Sequence, residues 1–214
     1  MWQQLQPAVV DPAEWLGELH PLVEQLGSTH GLVALGDVSA SLRIPPVQDL
    51  SSLRSFLRDY HREILLPIEW PAIRRGFDHA SRRELRELLA LDRQLADEPI
   101  LRPFARASCR VGRCELEKLR PLRDERIVRR YLEAVERLEA NAWHTLVYGL
   151  TLALYSLPLR QGLLGYGVQT TRGFIDAASD SLRISETGRR ALLQELCTDL
   201  PSSLELLLGR LAAA

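Results

Sequence analysis

Apolar residues recur every three or four positions along most of the chain, which is the spacing of an amphipathic α-helix. The first clear helix of this kind follows Asp49 and Ser51, either of which can serve as its N-cap. Its apolar positions are Leu53, Phe56, Leu57, Tyr60 and Ile64. Strand-like alternation of apolar and polar residues is nearly absent, so the pattern predicts an all-α protein.

Prolines and capping residues divide the helical pattern. Pro67 and Pro71 predict a break, because proline lacks the amide hydrogen that an α-helix needs. Ser81, followed three residues later by Glu84, predicts a capping box and the start of a new helix. Pro201 predicts another break before the C-terminal segment.

Three segments follow from this division. Residues 1–48 are predicted to form an N-terminal helix and an irregular loop, since two glycines and a double proline interrupt residues 28–48. Residues 49–200 form the main helical domain. Residues 201–214 form a C-terminal amphipathic piece, which puts Leu204, Leu207, Leu208 and Leu211 on one face.

Two features predict how the helices pack. Residues 143–159 are apolar on all sides, as expected for a helix buried at the centre of the fold. The predicted helix 98–119 carries a stripe of small residues, which would let a neighbouring backbone approach closely. The candidate helix-packing residues are Ala105, Ser108, Gly112 and Gly149. We therefore expect one compact helical bundle of eight or nine helices around a buried central helix.

Composition excludes several classes of protein. The 214 residues carry a formal net charge of −1 and give a pI near 6.5, so no nucleic-acid partner is expected. The longest apolar stretch, 143–159, is shorter than the ~20 residues of a membrane-spanning helix, so no membrane partner is expected. No targeting segment is recognisable. Three cysteines without a CxxC pair indicate reduced thiols and a cytoplasmic location.

The sequence shows no evident catalytic machinery. The five histidines do not form HxH, HxxxH or HExxH, so we expect no metal site. The glycines at 162, 165 and 167 do not form GxGxxG, and neither GxSxG nor SxxK occurs. We expect no cofactor, and binding or scaffolding is favoured over catalysis.

Four segments, in order, resemble the family of urease accessory protein F, UreF. Residues 49–60 are similar to the family's early helix. Residues 106–113, RASCRVGR, are similar to its Arg-x-x-Ser-x-x-x-Gly helix, matching at Arg106 or its neighbour, Ser108 or Ala107, and Gly112.

The other two segments lie in the second half of the chain. Residues 143–166 resemble the family's central block, and His144, Gly149 and Tyr166 fall on its His, Gly and Tyr positions. Residues 174–193 carry an alanine pair, Ala177 and Ala178, like that of the family. The family's Pro-x-Gly-Gly-Phe segment is missing from the corresponding residues 27–42.

The resemblance implies a non-enzymatic role in loading nickel into urease. Proteins of the family form a homodimer and bind an accessory protein called UreH or UreD. That assembly recruits the nickel-carrying GTPase UreG and presents it to apo-urease. The candidate partner-binding residues here are Arg106, His144, Tyr166, Arg172, Leu204, Leu207, Leu208 and Leu211.

Two other interpretations stay open at this point. The chain could be a UreF-like interaction protein that no longer serves urease. It could also be an all-α enzyme that holds a hydrophobic cofactor or substrate around residues 143–159, with His144 as ligand or base.

Overall fold

The computed structural model describes residues 47–122 and 125–212, and within these ranges it contains helices and no strand. The all-α prediction is therefore confirmed. The N-terminal helix and loop predicted for residues 1–48 lie outside the described residues, apart from the last two positions.

Nine α-helices form the described bundle, which matches the predicted fold class. They are α1 (Leu50–Tyr60), α2 (Trp70–Ser81), α3 (Leu85–Asp97), α4 (Ala105–Lys118), α5 (Arg126–Glu136), α6 (His144–Leu154), α7 (Leu159–Leu182), α8 (Glu186–Cys197) and α9 (Leu200–Ala212). A π-helical segment (His61–Glu69) joins α1 to α2. A 3₁₀ turn (Pro99–Phe104) leads into α4, and a second (Arg120–Leu122) follows it.

Asp49, one of the two residues predicted as an N-cap, is the N-cap of α1. Its side chain accepts a 2.7 Å hydrogen bond from the Ser52 amide, and the Ser52 hydroxyl accepts one from the Asp49 amide in return. This reciprocal pair satisfies amides that the first helical turn leaves without partners.

The break predicted at Pro67 and Pro71 is wrong, because the helix runs on through both prolines. Pro67 lies inside the π-helical segment, where the amide of Trp70 bonds the carbonyl of Leu65, five residues back. The wider turn of a π-helix accommodates a residue that has no amide hydrogen and that would clash with the carbonyl four residues earlier in an α-helix. Pro71 lies in the first turn of α2, where its missing amide hydrogen has no effect.

The helix start predicted at Ser81 is also wrong. Ser81 ends α2, and its hydroxyl donates to the carbonyl of Phe77 one turn back. The next helix begins at Leu85, with Glu84 as an N-cap whose side chain makes no capping bond. Instead, the Glu84 carboxylate lies 2.9 Å from the ring of His79, so this contact to α2 takes the place of the capping box.

Helix α6 is the buried central helix that the sequence predicts. All nine residues from His144 to Leu152 are buried, and α6 packs mainly against α2 and α4. Glycines bring these helices together. A Cβ on Gly149 would overlap the backbone of Ile73 and lie 2.9 Å from the amide of Phe77, both in α2.

Gly112 makes the second close crossing. A Cβ on Gly112 would overlap the carbonyl of Ala142 and lie 2.8 Å from the amide nitrogen of His144. Ser108, one turn earlier, is buried, and its hydroxyl accepts a 3.3 Å hydrogen bond from that amide. Ala105 is partly buried against the same core. The small residues of α4 therefore face the start of α6.

A buried carboxylate fixes the turn before α6. Asp92 of α3 is fully buried and accepts hydrogen bonds from Tyr131, from the amide and side chain of Asn141, and from the amide of Ala142, at 2.7–2.9 Å. One side chain thus joins α3, α5 and the turn at residues 137–143.

The C-terminal helix begins earlier than the sequence predicts. Pro201 does not break it but lies in the first turn of α9, which starts at Leu200. Leu204 is fully buried and packs into the core of this chain, and Leu207 and Leu208 pack against it. Among the residues that the structure describes, no helix is both long and apolar enough to cross a membrane.

Candidate functional site

A polar cluster lies inside the bundle where the π-helical segment meets α7. Glu69, the last residue of that segment, is buried and accepts a 2.5 Å hydrogen bond from the hydroxyl of Tyr60. Tyr166 of α7 is also hydrogen-bonded to the Glu69 carboxyl. Thr170 contacts both tyrosine hydroxyls, one turn farther along α7.

Burial changes the protonation of this cluster. Removal from water raises the pKa of Glu69 to about 7, although the two tyrosine hydrogen bonds act in the opposite direction. The same burial, together with the neighbouring carboxylate, raises the pKa of Tyr60 and of Tyr166 above the ordinary value. Both tyrosines therefore stay protonated and donate, and Glu69 can take up or release a proton near neutral pH.

His144 lies beside this cluster, at the start of α6. It is 1 % exposed, and its ring packs against Tyr148 and Tyr166, with centroids 6.0 and 5.8 Å apart. Neither ring nitrogen has a hydrogen-bond partner among the described residues. Burial lowers the pKa of His144 to about 4, so the ring is neutral at physiological pH.

A second buried histidine links the π-helical segment to α7. The Nε2 atom of His61 lies 2.7 Å from the hydroxyl of Thr171, and that hydroxyl donates its own proton to the carbonyl of Gly167. The hydroxyl therefore accepts from His61, which must carry its proton on Nε2. Burial lowers the pKa of His61 to about 4.

A cavity of about 10 Å³ lies next to Glu69 and is lined in part by Ser108, Trp143 and Thr145. A space of this size is about that of one water molecule. In 47–122 and 125–212, no three His, Cys, Asp or Glu side chains are grouped so that they could hold a metal ion. The cluster can thus store a proton and fix three helices, but the cavity has no room for a bulky cofactor or substrate.

The partner-binding residues predicted from the sequence differ in how far the structure buries them. Arg106 is exposed on α4. His144 and Tyr166 are buried in this chain, at 1 % and 2 % exposure, which differs from the surface position expected of a partner contact. The reason is physical: Tyr166 bonds the buried carboxyl of Glu69, and His144 packs on the Tyr166 ring. Arg172 is half-buried on α7, near Cys197.

The predicted leucine stripe of α9 faces the chain's own core. Leu204 is buried, Leu207 and Leu208 are half-buried, and the side chain of Leu211 lies outside the part that the structure describes. Among the described leucines of α9, Leu206 is exposed, at 63 %.

An ion pair joins the outer side of α9 to the start of α7. Arg160 contacts Glu205 at 2.7 Å, and Glu205 is next to Leu206 in the chain. Tyr155, at the end of α6 and five residues before Arg160, is 55 % exposed. Each residue of this ion pair therefore has an exposed large side chain nearby in the sequence, Leu206 beside Glu205 and Tyr155 before Arg160.

Sequence reasoning missed Glu69, Asp92 and the exposed residues Leu138, Tyr155 and Leu206. Glu69 had one available signal, since it is a lone carboxylate within the apolar run ILLPIEWPAI. Asp92 lies in an ordinary charged helix pattern. The exposure of a leucine depends on which face of a helix is covered, so the sequence alone cannot assign it.

Comparison with known proteins gives one clear match. The model of the UreF family matches residues 47–197, which include α1 to α8 and the whole buried cluster. A search of the curated proteins finds no match.

Proposed function

The chain belongs to the UreF family of urease accessory proteins, and from this premise we propose that it acts in urease maturation as a scaffold rather than as an enzyme. The observation that carries the proposal is the family match, which spans residues 47–197. In this role the chain works in the cytoplasm and binds other proteins instead of transforming a small molecule.

The proposed assembly has four kinds of component. Two copies of this chain pair as a homodimer and bind a UreH/UreD-type accessory protein. The resulting complex receives the UreG-type GTPase that carries nickel and presents it to apo-urease. Nickel is cargo in this scheme.

The outer side of α9 supports the proposal. With Leu204 buried in the bundle, α9 is docked and can present its other side to a partner without unfolding. Leu206 is exposed on this side next to Glu205, whose ion pair with Arg160 joins α9 to α7, and Tyr155 is exposed in the turn before α7. Aromatic side chains and arginine are common anchors of protein interfaces. We assign this side, rather than the Leu204 stripe, to the UreH/UreD-type partner.

Co-purification tests the proposal. The chain is produced together with the UreH/UreD-type protein and the UreG-type GTPase of the same genome, and the complex is weighed by light scattering after gel filtration. We expect one complex that contains all three proteins and two copies of this chain. Leu206→Asp should release the UreH/UreD-type protein, whereas Ser202→Asp, an exposed position in the first turn of the same helix, should not.

One rival interpretation predicts a different result of the co-purification. If the chain pairs with itself but binds none of the urease proteins, it is a UreF-like interaction protein with another role. The missing Pro-x-Gly-Gly-Phe segment at residues 27–42 is the observation that keeps this alternative in view.

A further inference from the structure

The outward face of α4 carries a row of arginines. Arg106, Arg110 and Arg113 are spaced by four and three residues, so they project from one side of the helix, and all three are exposed. We call these three residues the arginine stripe. Arg102, in the preceding 3₁₀ turn, adds a fourth arginine, and no Asp or Glu occurs anywhere in residues 99–114.

The stripe has no carboxylate partner within the described ranges. Arg106 and Arg110 make no ion pair there, and the Nε of Arg113 donates only to the backbone carbonyl of Asn141, at 3.4 Å. Several other arginines in the described ranges do make ion pairs with carboxylates. Arg120, two turns beyond the stripe, contacts both Glu117 and Glu136. Within the described ranges, the stripe therefore carries positive charge without a carboxylate partner.

An exposed leucine lies in the turn that Arg113 contacts. Leu138 is 80 % exposed and lies in the turn after α5, in the same turn as Asn141, which accepts the bond from Arg113. Its backbone is left-handed, with φ of 61°, a conformation that residues with an L side chain rarely adopt. An apolar side chain is thus held in water by a strained backbone.

The turn that carries Leu138 is fixed from within. Asp92 binds the amides of Asn141 and Ala142, and Ala142 is itself left-handed, with φ of 59°. Because the acceptor of these bonds, Asp92, is fully buried, the turn does not need to become ordered when a partner arrives. Preorganisation of this kind lowers the entropy lost on binding.

We propose that the arginine stripe and Leu138 form a docking surface for a protein partner that offers a row of carboxylates beside an apolar socket. The planar guanidinium of arginine binds a carboxylate through two parallel hydrogen bonds, which gives direction as well as charge. Leu138 enters the socket and anchors the contact. This assignment rests on the proposed function, because the partner is taken to be one of the proteins of urease maturation.

A protein fits this surface better than a nucleic acid does. The chain as a whole has a net charge of −1, whereas nucleic-acid-binding domains are strongly basic. A phosphate backbone also has no apolar socket for a leucine. Carboxylates next to an apolar hollow complement both parts of the surface.

The first experiment measures binding of the chain to the UreG-type GTPase, the UreH/UreD-type protein and apo-urease of the same genome, each by biolayer interferometry. The test variant is Arg106→Glu/Arg110→Glu. The matched control is Arg183→Glu/Arg190→Glu, which changes the charge equally at exposed positions at the end of α7 and on α8. Thermal melts confirm that both variants fold.

We expect the test variant to weaken binding to one of the three proteins by about tenfold or more, the scale of an interface hot spot. The control should stay within about twofold, as is usual for exposed charges outside an interface. Leu138→Ala should weaken the same interaction, and its effect should persist at high salt, where the arginine effect fades. If the wild type binds and the test variant binds equally well, the inference is overturned while the proposed function stands.

A second binding experiment uses none of the urease proteins. The probes are a helical peptide with Glu at every fourth position and Leu beside it, its Gln counterpart, and a short DNA duplex. Wild-type chain should bind the Glu peptide at least about tenfold more tightly than the Gln peptide, and the test variant should lose that preference. Equal binding of both peptides, or tighter binding of the duplex, would overturn the inference even if the urease proteins bind elsewhere. If the chain binds the Glu peptide but none of the urease proteins, the docking surface is supported and the proposed function is contradicted.

Discussion

The hydroxyl of Tyr60 donates a 2.5 Å hydrogen bond to the carboxyl of Glu69, and the two residues flank the π-helical segment that carries Pro67. Tyr166 of α7 binds the same carboxyl. One buried acid thereby ties the widened helix to α7, and its protonation is coupled to the stability of the fold.

Glu69 should make the stability depend on pH in a defined direction. Its pKa rises from 4.5 to about 7 on folding, so its stabilising contribution is complete below pH 4.5 and is lost as the pH rises to about 7. At 1.36 kcal/mol per pKa unit, the loss is about 3 kcal/mol. We expect the free energy of unfolding of the wild type, relative to that of Glu69→Gln, to fall by this amount across the interval.

Urea unfolding of both proteins at several pH values measures this difference. His61 and His144 act in the opposite direction, because their pKa values are lowered to about 4 and their contribution is lost as the pH falls below 6.5. Both histidines are present in both proteins, so their effect cancels in the comparison. A constant difference at all pH values would contradict the assignment.

Gly112 should tolerate no side chain. A Cβ there would overlap the backbone of Ala142, which cannot move aside as a flexible side chain can. We expect Gly112→Ala to lower the free energy of unfolding by about 1–3 kcal/mol or more. Gly209→Ala is the matched control, because nothing lies within 4 Å of that position and alanine favours a helix by about 0.5–1 kcal/mol. Equal effects of the two substitutions would show that α4 does not cross the start of α6 closely.

Asp92 should be more important for stability than an average buried residue. Asp92→Ala removes the acceptor of buried amides at Asn141 and Ala142, so we expect a loss of more than about 3 kcal/mol. Tyr131→Phe removes one donor and leaves the others in place, and it should cost only about 1 kcal/mol. Chemical denaturation of the two variants measures both free energies of unfolding. A similar small loss for both would show that the hydrogen bonds of Asp92 do not hold the turn before α6.

Leu204 tests whether α9 is docked in the free chain. If the helix is docked, Leu204→Ala should lower the free energy of unfolding by about 2–5 kcal/mol, because the side chain is fully buried. Leu206→Ala, at 63 % exposure in the same helix, should have little effect. Should the two variants melt alike, α9 would be loosely held in the free chain, and the Leu204 stripe would be available to a partner.

The sequence predicts the fold class because helical periodicity depends only on local spacing. The central helix predicted for residues 143–159 is formed by α6 from His144 to Leu154, whereas the turn that begins at Tyr155 lies outside the helix and is partly exposed. The break at Pro67 could not be foreseen as a π-helix, since the wider turn is maintained by contacts between distant residues such as Tyr60, Glu69 and Tyr166. Local rules favoured a helix end there.

The candidate site is less predictable for the same reason. Tyr166 is a candidate partner contact from the sequence, because tyrosine is a common interface anchor, but in the fold it is buried and bonds the carboxyl of Glu69, 97 positions earlier in the chain. The arginine stripe is visible in the sequence, whereas its lack of carboxylate partners within the described ranges and the contact of Arg113 with the Leu138 turn required the folded chain.

The nickel content of urease tests the central claim most directly. Urease is produced with the UreG-type and UreH/UreD-type proteins of the same genome, with and without this chain, and its nickel is measured by mass spectrometry after purification. The account predicts nickel-loaded, active urease only when this chain is present. Equal nickel content and activity with and without the chain would contradict it.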